Sequence, residues 1–248
     1  MIKKIIQLSS IITCLFLILA CGGGSTETKT SVVEKIPTEQ QPAQPTEPNT
    51  PEDTNAVQYP NYNTNPLAAD SSGMPSNAME LAGKIHLGWN IGNTMEALGS
   101  ETAWGNPIVS DELLQLVKQS GFNAVRIPIA WDQYANQDTA EISQQWLDRV
   151  KLVVQQSIDK DLYVLINVHW DGGWLENHIE PEYQQAVNAK QQAFWQQIAT
   201  HLRDFDERLL FASANEPAVE TAAQMAVLDS YHQTFVDTVR ATGGKNAY

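Results

Sequence analysis

The stretch "LYVLINVHW" (162–170) opens on apolar residues and closes on Asn167, His169 and Trp170. An apolar run without polar alternation suits a strand covered on both faces, as in a parallel sheet. Three other runs share this form: "KIHLGWNIGN" (84–93), "FNAVRIPIAW" (122–131) and "RLLFASANE" (208–216). Helical patterns separate them. "SDELLQLVKQSG" offers Ser110 as N-cap, Asp111 and Glu112 in the first turn and Gly121 as the stop. After Ser143, residues Trp146, Leu147, Val150, Val153, Val154 and Ile158 recur at helical spacing. A third helix is expected through Phe194, Trp195, Ile198 and Leu202. A fourth carries Met225, Leu228, Tyr231, Phe235 and Val239 and ends near Gly243-Gly244.

Four βα units in series predict an α/β protein built as a (β/α)8 TIM barrel. A doubly wound open sheet competes, but no glycine-rich phosphate loop follows the first run. Eight such units need roughly 300 residues. The expectation is therefore that 78–248 holds about the first four units, the N-terminal half of a barrel.

The N-terminus reads differently. Lys3 and Lys4 precede an almost wholly apolar run from Ile5 to Ala20, too short for a spanning helix and suited to a secretory signal over 1–20. It closes on Leu19-Ala20-Cys21 and three glycines, a pattern that resembles a bacterial lipobox with Cys21 as the lipidated residue. A plain signal peptide with an incidental cysteine and an uncleaved anchor are the competing readings. The only other cysteine, Cys14, lies within the signal, so no intramolecular disulfide is expected. Residues 21–77 are rich in Pro, Thr and Glu and poor in aliphatic side chains, which reads as a disordered tether. Some 50 such residues could reach on the order of 150 Å. The expected location is the outer membrane or cell surface, otherwise the medium.

The net charge of −14 excludes a nucleic-acid binder, which needs a basic stripe, and membrane contact is expected only through Cys21. It fits a neutral substrate. No cofactor, metal or protein partner is implied.

In a barrel, chemistry sits at the C-terminal strand ends. Here those ends supply Trp89, Asn90 and Asn93, then Arg126 and Trp131, then Asn167, His169, Trp170 and Asp171, then Asn215 and Glu216. Five ordered motifs, "LGWNIGNTME", "AWGNP", "AVRIPIAW", "LINVHWDGGW" and "FASANEP", resemble glycoside hydrolase family 5 over essentially all of 80–248. The resemblance implies an endo-β-1,4-glucanase that hydrolyses β-glucan with retention through two carboxylates. Glu216 would be the general acid/base and Asn215 would hydrogen-bond the sugar 2-hydroxyl. Arg126 would orient the nucleophile, and His169 would line the cleaved subsite. Asn93 and Trp104 would contact non-reducing-side sugars, and Trp131 and Trp174 would stack on sugar rings. The nucleophile is expected near the end of a seventh strand, beyond Tyr248, so residues 1–248 alone are expected to be inactive. Asp171 is a poor substitute, since a loop acid after the third strand has no reason to lie ~5 Å from Glu216.

Other readings compete. Glu216 could be a solvated acid, Arg126 a structural ion-pair partner, and His169 a rim histidine or half of a metal site. The tryptophans could be core, as Trp146 and Trp195 are expected to be. Xyloglucanase, mannanase and xylanase share the implied machinery, and a non-catalytic carbohydrate-binding lipoprotein is a further alternative. A metal hydrolase would want two histidines one residue apart on the first strand, where His86 stands alone.

Overall fold

The computed structural model describes residues 58–248. The expected signal, Cys21 and the tether as far as residue 57 lie outside the described residues. The order of elements is α1 (Ala78–Lys84), β1 (Gly88–Asn90), α2 (Asp111–Gln119), β2 (Ala124–Ile129), α3 (Gln144–Ile158), β3 (Tyr163–Val168), α4 (Gln184–Leu202), β4 (Leu209–Ala212) and α5 (Ala222–Ala241). The four strands form one parallel sheet in the order β1-β2-β3-β4. Consecutive parallel neighbours joined by helices are the repeat the alternating runs predict.

Register explains what each face does. Val125 pairs with Val164, and Ile127 with Ile166 and, through it, Phe211. The valines and isoleucines of β2 and β3 on this face are buried with Val150, Val154, Phe194 and Ile198 in one core. The alternate positions align Asn90, Arg126, Leu165 and Leu210 across the sheet on the opposite face. Coverage of both faces, expected of all four runs, holds best for the last three residues of β2 and of β3. β1 is three residues long and exposed, and β4 is only half-buried, because each sits at an edge with one neighbour.

Helix ends follow local chemistry. Ser110 Oγ accepts the Leu113 N–H at 3.3 Å, and Gly121 stops α2 with a φ of 94°. Thr221 and Gln224 close a capping box on α5, and Asn77 and Glu80 close one on α1. Each such cap contributes about 1 kcal/mol. α4 starts ten residues before the Phe194 that marks it in the sequence, because its first half carries few apolar side chains.

The tether boundary at residue 77 is corrected. Residues 58–77 lie against the folded unit, with Tyr59 and Tyr62 packed on the core. Tyr62 Oη donates to the Thr139 carbonyl at 2.7 Å, and Arg203 Nη1 donates to the Asn65 carbonyl at 2.8 Å. The Leu67 N–H reaches the Thr242 carbonyl, and a parallel bridge joins Ala69 to Gly244. Composition counted the aliphatic residues this stretch lacks. Its docking instead uses two tyrosines and backbone hydrogen bonds onto a surface the helices already form. A Cβ at Gly243, whose φ is 72°, would stand 1.9 Å from the Leu67 carbonyl oxygen, so this approach requires glycine.

Candidate active site

The C-terminal strand ends converge through Arg126. At the Asn90–Arg126 register position its guanidinium donates from Nη1 to Asn90 Oδ1 at 2.7 Å and from Nη2 to Asn215 Oδ1 at 2.6 Å. One side chain thus ties the first, second and fourth strand ends. Guanidinium geometry suits this, since its fork presents fixed donors to two acceptors at once.

His169 follows β3, its N–H held by the Ile129 carbonyl at 3.1 Å. Burial holds the imidazole below its usual pKa and the Arg126 charge adds to this, against smaller opposing effects of Glu96 and Glu216. The ring is therefore neutral near pH 7. Asn167 Nδ2 faces His169 Nδ1 at 3.4 Å. An amide nitrogen only donates, which puts the imidazole proton on Nε2.

The segment carrying Asn215 and Glu216 rests on two helices. Gln191 Nε2, buried in α4, donates to the Ser213 carbonyl at 3.1 Å, and Ser213 Oγ meets His232 Nδ1 of α5 at 2.6 Å. Beyond this anchor Glu216 is exposed and takes a φ of 42°. Among the described residues five non-glycine positions have positive φ, and Asn93, Asp171 and Glu216 all follow strand ends on this rim. Such backbone persists where its surroundings over-determine it, and clusters at functional sites.

The predicted contact residues divide. Asn93 is exposed, with its N–H fixed by Glu96 Oε1 at 2.5 Å. Trp104 is 46% exposed in the loop after β1, which Asn106 Nδ2 ties to the Gly92 carbonyl at 3.1 Å. Trp131 and Trp174 are not sugar platforms in this structure. Trp131 is fully buried, its backbone N–H held by Asp171 and its indole N–H aimed at the Asn167 carbonyl. Trp174 is buried edge-on to Phe194, with Lys190 over its ring. Each follows a strand end, but the loops turn these indoles inward and leave Trp170, 40% exposed beside His169, as the open indole face after β3.

Two carboxyl groups on this rim, Glu96 and Glu176, are absent from the sequence reading of the site, and a third, Asp171, enters it only as a poor substitute nucleophile. Glu96 is buried and accepts the Asn93 and Thr94 N–H groups. Asp171 is buried and accepts the Trp131 and Asp132 N–H groups at 2.6 and 2.5 Å, clamping the loop after β2 to that after β3. Burial pushes its pKa up to about 6 despite those bonds. This engagement commits Asp171 Oδ2 to holding the two loops together. Glu176 is buried, and its burial raises its pKa. A charged residue inside "GNTME" or "GGWLE" is the available signal, but burial is not written in a motif. Among the described residues no group of three or more His, Cys, Asp or Glu is arranged to hold a metal.

A parallel sheet whose strand ends gather an arginine-bound asparagine, a neutral histidine and an exposed glutamate follows the (β/α)8 pattern of functional groups at the C-terminal strand ends. The family profile for Cellulase (glycosyl hydrolase family 5) matches residues 90–248, and the chain belongs to glycosyl hydrolase family 5. The xyloglucan-specific endo-β-1,4-glucanase of Bacteroides ovatus is 40% identical over 200 residues, covering 73% of this chain and 40% of its own. Endoglucanase B of Clostridium cellulovorans is 38% identical over 181 residues, covering 68% of this chain and 40% of its own. Among solved structures, the Bacteroides ovatus xyloglucanase in complex with a XXXG heptasaccharide superposes with a TM-score of 0.71 at 37% identity, covering 78% of this chain and 45% of that one. A broad-specificity endoglucanase from Ruminococcus champanellensis with bound cellotriose gives 0.67 at 37% identity, covering 69% and 55%. The chain thus spans about half the length of the relatives it matches, and its four βα units are part of their (β/α)8 barrel.

Proposed function

We propose that the protein is a retaining endo-β-1,4-glucanase in which Glu216 is the general acid/base. The observation that carries this is the Arg126 bridge, which brings Asn90 and Asn215 to one rim and with them the adjacent Glu216. Glu216 protonates the glycosidic oxygen as a second carboxylate attacks the anomeric carbon. It then takes a proton from the water that releases the glycosyl-enzyme. Asn215 holds the sugar 2-hydroxyl, Arg126 keeps the nucleophile ionised and oriented, and neutral His169 offers Nε2–H to the sugar at the cleaved bond. Asn93, Trp104 and Trp170 line the substrate path. The substrate is uncharged β-1,4-glucan, for which a chain of net charge −14 has no electrostatic penalty.

Xyloglucan is the second reading. A relative at 40% identity is xyloglucan-specific by name, and a matching structure holds a xyloglucan heptasaccharide. Relative kcat/KM on xyloglucan and on unbranched glucan decides between them. Export as a lipoprotein through Cys21 completes the proposal. Cys21→Ser should release the protein from the membrane fraction, and unchanged partitioning would refute the anchor.

In the full-length protein, Glu216→Gln should lower turnover on unactivated glucan by about 10²–10⁴-fold. Azide should partly restore cleavage of substrates with good leaving groups. Unchanged turnover on unactivated glucan would sink the assignment.

A further inference from the structure

Glu176 lies two residues beyond Trp174 in the loop after β3 and is 9% exposed. One carboxyl oxygen, Oε1, is walled off from solvent and has no hydrogen-bond partner among the described residues. No lysine, arginine or histidine pairs with it among the described residues. A buried carboxyl with an unpartnered oxygen is unfavourable for folding and would be replaced by an apolar side chain at little cost. Apart from burial, the groups that act on it are the Asn215 side chain and the Glu216 carboxyl. The carboxyl thus lies within reach of the two residues proposed to carry out the chemistry.

The Arg126 bond decides how Asn215 can use this neighbour. Nη2 donates to Oδ1, so the amide carbonyl oxygen is committed to the guanidinium and Nδ2 points away from it. Nδ2 carries two hydrogens. Asn215 favours the ionised form of Glu176, although no full hydrogen bond joins the two in this structure. Catalytic hydrogen bonds are often long before substrate binds and tighten in the complex.

We propose that Glu176 is a positioning residue: its carboxylate takes one Nδ2 hydrogen of Asn215, locks the amide between Arg126 and itself, and aims the second Nδ2 hydrogen at the sugar 2-hydroxyl. This rests on the reading of Asn215 as the partner of that hydroxyl. Glu176 touches no substrate; it sets the direction of a donor whose bond strengthens as the oxocarbenium-like transition state forms.

The test uses the full-length protein and two substrates, an aryl β-cellobioside and its analogue lacking the 2-hydroxyl on the cleaved sugar. Glu176→Leu should lower kcat on the parent substrate by about tenfold or more, the scale of one hydrogen bond to a charged group. The loss should fall below about threefold on the 2-deoxy analogue, which has no bond for Asn215 to make. Glu176→Gln, which keeps an acceptor oxygen, should recover most of the loss. A packing role predicts equal losses on both substrates, and that result, or no loss at all, would overturn the proposal. If Glu176→Leu does not fold, Glu176→Asp withdraws the acceptor by one methylene and should give the same substrate-selective loss. If the wild-type protein cleaves neither substrate, the glucanase reading fails instead. Crystal structures of the wild type and Glu176→Gln or Asp then decide separately. An Asn215 amide that turns on shortening to Asp and not on change to Gln supports the positioning role. An amide unmoved in both overturns it.

Discussion

The two ends of the sheet treat buried carboxylates in opposite ways. Ahead of β4, Glu207 is buried, yet Lys84 Nζ meets Oε1 at 2.7 Å and Ser76 donates both its N–H and its hydroxyl. Burial would raise its pKa, but these partners outweigh burial and hold it below the usual carboxylate range. At the other end, Asp171 and Glu176 each keep one buried oxygen without a partner among the described residues, and burial pushes both upward. Nearby base charges follow Glu207: Lys245 pairs with Asp70, and Arg208 with Asp206. A base that only has to hold the chain in place satisfies its charges. The rim proposed to act on substrate leaves some of them short of partners, at a cost in stability.

Substitutions can break or sharpen that contrast. After Glu216→Gln, Arg126→Ala should have the largest effect at the rim, lowering kcat/KM on glucan about 10²–10³-fold, or about 3–4 kcal/mol. Its melting temperature should change little, and a large thermal loss would make the arginine a structural strut. Asp171→Asn probes the same end through pH. The folded-state pKa of about 6 lies above the ordinary 3.8, so the contribution of the protonated carboxyl to wild-type stability is full below about pH 4 and is lost as pH rises through 6. The asparagine variant has no such titration. Its stability relative to wild type should rise by about 3 kcal/mol between pH 4 and pH 7, measured by denaturant unfolding. A pH-independent difference would refute the raised pKa.

At the base the effects belong to folding. Gly243→Ala should displace the segment around Leu67 and destabilise by about 2–3 kcal/mol, with turnover of the folded protein preserved. Glu207→Gln is the smallest and the most diagnostic. It should cost about 1 kcal/mol at pH 7, and the cost should fade as pH drops through the lowered Glu207 pKa and wild-type Glu207 loses its charge. Its pH dependence thus runs opposite to that of Asp171→Asn. Parallel pH profiles for the two would erase the distinction between the ends.

Much of this was legible in the chain. Continuous apolar runs ending in polar residues placed all four strands, and Ser110, Gly121 and the spacing after Ser143 placed two helices. α1 could have been read from Asn77 and Glu80, a capping-box pair, but its short helix offers no apolar stripe. Trp131 and Trp174 show the limit. Both sit in the right motifs after the right strands, and a motif does not say whether an indole turns toward substrate or core.

By itself the sequence determined the alternation of strand and helix, the residues delivered to the strand ends, and the family to which they belong. These depend on local propensity, on period and on the identity of nearby residues, all of which are written along the chain. Only the tertiary structure decided that Arg126 spans Asn90 and Asn215, that residues 58–77 dock on the helices, and that Glu176 is buried beside Asn215 and Glu216. Each is a contact between residues far apart in the chain, where distance, burial and shared partners exist only once the sheet has brought the segments together.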